Sequence, residues 1–170
     1  VNKYFLELLK FESTSALEAS EVWPEIRDEV ERILNAVVSE PGAVATGFFQ
    51  RSEDDWTRNS VASAPGSDIH ALAWNLERGI QFEGIANALA KHPALSNKDV
   101  LMLPELDHGM ARSGNRFVAK ELAEKLGLSY AFAPVYIALQ KGSGVEAEMA
   151  GENPLSIHGL AMMSPWAMTN

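Results

Sequence analysis

The sequence predicts an α/β chain, with alternating strands and helices over residues 66–170 behind a helical N-terminal extension and linker at residues 1–65. Three observations carry that expectation. Apolar runs of strand length recur at residues 69–75, 100–103, 130–139 and 156–163. Between the first three runs lie apolar positions at helical spacing, first Phe82, Ile85, Ala86 and Leu89, then Val118, Leu122 and Leu126. Breakers stand where elements should stop, at Pro41-Gly42, Pro93 and Gly127.

Taken in order, Tyr4, Phe5, Leu8 and Leu9 suggest a short first helix. Val22, Ile26, Val30, Ile33 and Val37 form an apolar stripe, with charged residues on the opposite face, which predicts an amphipathic helix running to Pro41. Trp23 and Trp56 are expected to pack this extension onto the core. The mixed polar segment 50–67, ending Ala64-Pro65-Gly66-Ser67, reads as a connector. The order that follows is β-α-β-α-β-β. Val100-Leu101-Met102-Leu103 reads as a strand buried on both faces and closed by Pro104-Glu105. A Gly- and Glu-rich loop, Lys141 to Asn153, separates the last two strands.

Composition narrows the chemistry. The 170 residues are 46% hydrophobic and 22% charged, values of an ordinary folded domain rather than of a disordered or fibrous chain. Cysteine is absent, which excludes disulfides, thiolate zinc sites and a Cys nucleophile. With 23 acids against 14 bases, the net charge of -9 opposes a broad nucleic-acid or anionic-membrane surface. A small phosphate site remains open, because a metal ion can dominate its local field. No transmembrane segment and no signal peptide is visible. Those absences suit the cytoplasm, although the chain opens on Val1 and stops at Asn170 directly after an apolar run, which reads as a piece of a longer protein and leaves location unknown.

Two strands end in polar residues, Trp74-Asn75 and Leu103-Pro104-Glu105-Leu106-Asp107. Ligands gather at strand carboxyl ends in α/β folds. If the strands are parallel neighbours, the Asn75 amide and the Glu105 carboxylate share one edge, and hard oxygens of this kind suit Mg²⁺. The competing reading has Asn75 capping a turn and Glu105 solvated. Asp107 either orients a ligand from behind or is a surface carboxylate. Arg112 and Arg116 are candidates for bidentate phosphate contacts, or for ordinary surface and helix-start roles. His158 is either a site residue or a hydrogen-bonded core histidine. His70, His92 and Ser164 read as structural, and His108 lies near Glu105 without being identified as a base.

The segments Ala73-Trp74-Asn75-Leu76-Glu77-Arg78-Gly79, Asp99 to Asp107 and His158-Gly159-Leu160-Ala161-Met162-Met163-Ser164 resemble, in order, three motifs of the endonuclease/exonuclease/phosphatase family, the DNase I-like metal-dependent phosphoesterases. The likeness spans residues 68–170 and implies the N-terminal half of a DNase I-like α/β sandwich. It implies Glu105 as a metal-binding glutamate and Asn75 as the residue beside metal and scissile phosphate. It implies Mg²⁺, or Mn²⁺ in its place, and a phosphoester substrate, with His158 within its motif; Arg116, from its place just after the Glu105 strand, is expected beside His158 as a substrate contact. The family's Gly-Asp-Phe-Asn-like segment and late Asp-His pair are absent, Leu160 stands where Asn is common, and Pro165 where Arg is common.

Two further readings stand beside the hydrolase. One is a non-catalytic binding or interaction module that keeps part of the fold; no protein partner is evident from the residues. The other is a glycosidase using Glu105, which needs a second carboxylate about 5–9.5 Å away, and Asp107 is the only near candidate.

Overall fold

The computed structural model describes residues 3–40 and 69–168. Three helices come first: α1 (Lys3–Leu8), α2 (Thr14–Glu18) and α3 (Trp23–Leu34). The strand β1 (Val38–Glu40) follows. The second segment runs β2 (Ala71–Ala73), α4 (Phe82–Lys91), β3 (Val100–His108), α5 (Val118–Leu126), β4 (Ser129–Ile137) and β5 (Ile157–Ser164). The expected β-α-β-α-β-β order is present. The connector at 50–67, Pro41-Gly42 and Trp56 lie outside the described residues. Among the described residues no helix is long and apolar enough to cross a membrane.

Helix α3 ends earlier than its stripe predicts. Asn35 stops it, with backbone N–H and side-chain Nδ2 both donating to Glu31 O, at 3.0 and 2.7 Å. Val37 then lies outside the helix, and the β-branched pair Val37-Val38 leads into extended chain. The segment expected to be helical therefore also supplies an edge strand, β1, antiparallel to β4. Ile26 of α3 is fully buried, and Val22, Trp23, Val30 and Ile33 pack beside it on the core. Helix α2, capped by Ser13, was not legible as an element; its five residues are too few to show a period.

The five strands order as β1-β4-β5-β3-β2. β2 and β3 are parallel, while β5 is antiparallel to both β3 and β4. The core lies between the helices and one face of this sheet. Leu101, Leu103, Leu106, Tyr130, Phe132, Ala161 and Met163 meet Phe82, Ile85 and Leu89 of α4 and Val118, Leu122 and Leu126 of α5. Lys125 Nζ of α5 pairs with Glu83 of α4. His92, extended before Pro93, ends α4. Gly127, at φ 67°, ends α5 while Leu128 N–H returns to Ala123 O at 2.9 Å.

Part of the opposite sheet face is uncovered among the described residues. Met102, Leu160 and Met162 are each 46% exposed, with Ala71 and Ala73 exposed beside them. This corrects the expectation that residues 100–103 are buried on both faces: the strand alternates, Leu101 and Leu103 inward, Met102 outward. Nor does Pro104-Glu105 close it. β3 bulges there and continues to His108.

The two faces should therefore respond oppositely to substitution. Leu103→Ala is expected to cost about 2–5 kcal/mol in urea unfolding. Met162→Lys should change stability by less than about 0.5 kcal/mol. A large loss from Met162→Lys would mean that the outer face is covered.

Candidate functional site

The site is built around a break in strand register. On β3, Leu103 pairs with Ala161 and Leu106 with Gly159, so three residues of advance oppose two. The extra residue lies at Pro104-Glu105. On the other side of β5, Pro134 pairs with Gly159 and Tyr136 with His158, so β4 bulges at Val135. Both bulges flank Gly159, where a Cβ would lie 2.4 Å from Ala133 O and 2.6 Å from Phe132 Cζ. Only glycine lets the strands approach there.

The bulge forces Glu105 to φ 57°, a left-handed conformation that glycine normally supplies. A glutamate held there costs about 1–3 kcal/mol. Its carboxylate is half-buried and has no hydrogen-bond or ion-pair partner among the described residues. The neighbouring parallel strand delivers a second strained turn beside it. Trp74 N–H donates to Met102 O at 3.1 Å and Arg78 N–H to Glu105 O at 2.7 Å. Between them Asn75 Oδ1 accepts from Glu77 N–H at 2.9 Å, and Glu77, Arg78 and Gly79 all take positive φ. The parallel pairing on which a shared edge depended is present, and it sets the segments bearing Asn75 and Glu105 side by side. The turn-capping role weighed for Asn75 is also real; it uses one lone pair of Oδ1 and leaves the exposed amide accessible.

The same bulge brings Asp107 onto the outer face beside His158, its cross-strand partner. Asp107 is fully buried, which overturns the surface-carboxylate reading. Arg112 donates to it twice, Nε to Oδ2 and Nη2 to Oδ1, both at 2.8 Å, and His158 Nδ1 lies 2.8 Å from Oδ1. Burial pushes the Asp107 pKa up, yet the Arg112 and His158 bonds outweigh it and hold the carboxyl below its ordinary value. For Arg112, burial lowers the pKa, and Asp107, Tyr136 and Glu146 together raise it above the ordinary guanidinium value. Tyr136 stacks on His158 with centroids 4.7 Å apart. Glu146 completes the cluster, 3.0 Å from Arg112 and 3.0 Å from Arg78. With both oxygens held, Asp107 is unsuited to serve as a glycosidase's second carboxylate.

Arg116 is not brought to this cluster. Its guanidinium pairs with Glu121 and lies 4.4 Å over the Phe82 ring, on the helical side of the sheet. His108 also faces that side, stacked on Phe117 at 3.8 Å, and burial lowers its pKa to about 4. Ser164 Oγ donates to Asp99 O at 3.0 Å, the supporting role expected of it. His70 is exposed, with its backbone N–H on Asp99, and His92 Nδ1 accepts from Ala94 N–H at 3.2 Å. Arg78, Tyr136 and Glu146 were not singled out in the sequence; one arginine after Leu-Glu, one tyrosine in a strand and one of several loop glutamates carry no distinguishing spacing.

Among the described residues no group of three or more His, Asp or Glu side chains is placed to hold a metal. Glu105 and Asn75 still suit Mg²⁺, which takes one or two protein carboxylates and keeps several waters. The unpartnered Glu105 carboxylate is the observation that supports the fit.

Stability should separate the two acids. Asp107→Ala strands the Arg112 charge and is expected to cost about 3–5 kcal/mol. Glu105→Gly relieves the strained φ and should raise stability, by about 0.5–1 kcal/mol. A loss on Glu105→Gly would show that the carboxylate has a structural partner. His108 yields a pH test. The unfolded histidine protonates through its ordinary 6.5 while the folded one stays neutral to about 4. Stability should thus fall as pH drops across that interval, by on the order of 2 kcal/mol after solvent screening. His108→Phe should flatten that slope; an unchanged slope would place its origin elsewhere.

No family model, curated protein or solved structure matches the chain.

Proposed function

We propose that this chain carries one half of the catalytic centre of a divalent-metal-dependent phosphoester hydrolase, a phosphodiesterase or nuclease-like enzyme of the endonuclease/exonuclease/phosphatase type. The observation that supports this reading best is Glu105. An unpaired carboxylate held at a positive-φ bulge, next to the Asn75 turn of a parallel neighbour, costs stability and gains no structural contact in return.

Glu105 and Asn75 would hold Mg²⁺, or Mn²⁺ in its place, through hard oxygen donors. When bound, the ion supplies Lewis-acid stabilisation of charge developing on phosphoryl oxygen. Asn75 keeps its amide oriented through the bond from Glu77 N–H, so its free donors face a substrate without rotamer loss. His158, fixed by Asp107, lies at the same end of the sheet, and in its imidazolium form would donate from Nε2 to a bound phosphoryl oxygen. Its partner Asp107 sets the tautomer by accepting at Nδ1. The general base and the remaining metal ligands are not supplied by this cluster. The isolated chain is therefore expected to hydrolyse poorly, with turnover belonging to a longer protein that contains it.

A binding or interaction module is the second reading, but the exposed apolar face at Met102, Leu160 and Met162 supports the half-sandwich reading over it, because the second sheet of an intact sandwich would cover that face. The two readings differ at Glu105. In a longer protein with measurable diesterase activity, Glu105→Ala should lower kcat/KM by about 10²–10³-fold with folding intact. Undiminished activity would remove Glu105 from the mechanism.

A further inference from the structure

We infer that Arg78 and Arg112 form a binding site for a phosphodiester monoanion, and that Glu146 occupies it as an internal stand-in. The carboxylate bridges the two arginines one oxygen each: Oε1 lies 3.0 Å from Arg78 Nη1, and Oε2 lies 3.0 Å from Arg112 Nη1. A phosphodiester presents the same arrangement, two equivalent oxygens sharing a single negative charge. Local charge selects the same class. Asp107 offsets Arg112 through two hydrogen bonds, so the pair of arginines without Glu146 retains one net positive charge, matched to a monoanion rather than a dianion.

The loop that carries Glu146 is shaped to deliver and release it. Its outgoing stem is anchored: Asn153 is fully buried and its Oδ1 accepts from Ala111 N–H at 2.7 Å, while Leu155 and Ser156 N–H both donate to Gly109 O. The tip is open, with Val145 81% exposed. Gly142, at φ 143°, lets the chain fold back; a Cβ there would lie 2.6 Å from Glu146 Cβ and 2.7 Å from Oε2. The site adjoins the candidate metal residue, since Arg78 N–H bonds Glu105 O at 2.7 Å. Its connection to catalysis rests on the hydrolase reading above, whereas the anion site does not.

Titration with dimethyl phosphate in EDTA, at ionic strength fixed with sodium chloride, tests the site without metal or turnover. Glu146→Ala should bind at least about tenfold more tightly than the unaltered chain, and adding Arg78→Gln should abolish the gain. No gain, or a gain that survives Arg78→Gln, overturns the proposal. If Glu146→Ala does not fold, Gly142→Ala unseats the carboxylate by collision and is held to the same tenfold criterion. Inorganic phosphate binding more tightly than the diester in the folded variant would also overturn it. Thymidylyl-thymidine and glycerophosphocholine arms distinguish a nucleic-acid from a lipid-derived diester; binding of either supports the site, and binding of neither overturns it.

Discussion

Arg112 carries its charge into a place where the side chain is 5% exposed, and that is tolerable only because Asp107 meets it with two hydrogen bonds. Much of the outer end of the sheet depends on this pair. Asp107 orients His158, His158 stacks on Tyr136, and the far edge of Arg112 receives Glu146. Because the pair bridges the 3₁₀ turn at Ala111–Ser113 to the C-terminal end of β3, it also fixes where the chain leaves the sheet. Removing either partner would leave an uncompensated charge and release several elements at once.

The pair exists because β3 bulges. Were the same residues to run through Pro104-Glu105 as a regular strand, the inside-outside alternation would place Asp107 among Leu101, Leu103 and the helices. With the bulge, Leu106 stays inward, Asp107 turns outward to His158, and Glu105 is left at a positive φ with nothing to hold. Structural order and the candidate chemistry thus come from one irregularity. Glu105 bears the strain, and Asp107 secures the fold around it.

The sequence showed the alternation of elements well, because periods of two and 3.6 residues are local properties. The polar strand ends at Asn75 and Glu105 were visible in the same way, whereas their sharing of one edge was conditional on a parallel pairing that the structure supplies. What the sequence hid was non-local. The bulge is a mismatch between strands, visible only once Leu103 and Leu106 are paired with Ala161 and Gly159. The early stop of α3 was masked because Val37 continues the helical spacing that Asn35 in fact ends. Arg116 was favoured over Arg112 on local grounds, yet Phe82 and Glu121 hold Arg116 on the helical side while Asp107 draws Arg112 to the outer one. Glu146 finds its arginines across 34 and 68 positions of chain, a pairing that no local pattern encodes.

In the reading proposed above, the bulged Glu105 and the Asn75 turn converge on a divalent cation. Anomalous diffraction from crystals of the chain soaked in Mn²⁺ tests it most directly. A manganese peak is expected about 2.0–2.2 Å from a Glu105 carboxylate oxygen, within reach of the Asn75 amide oxygen, and it should disappear in Glu105→Ala. An ordered site without such a peak, or manganese bound only elsewhere, would contradict it.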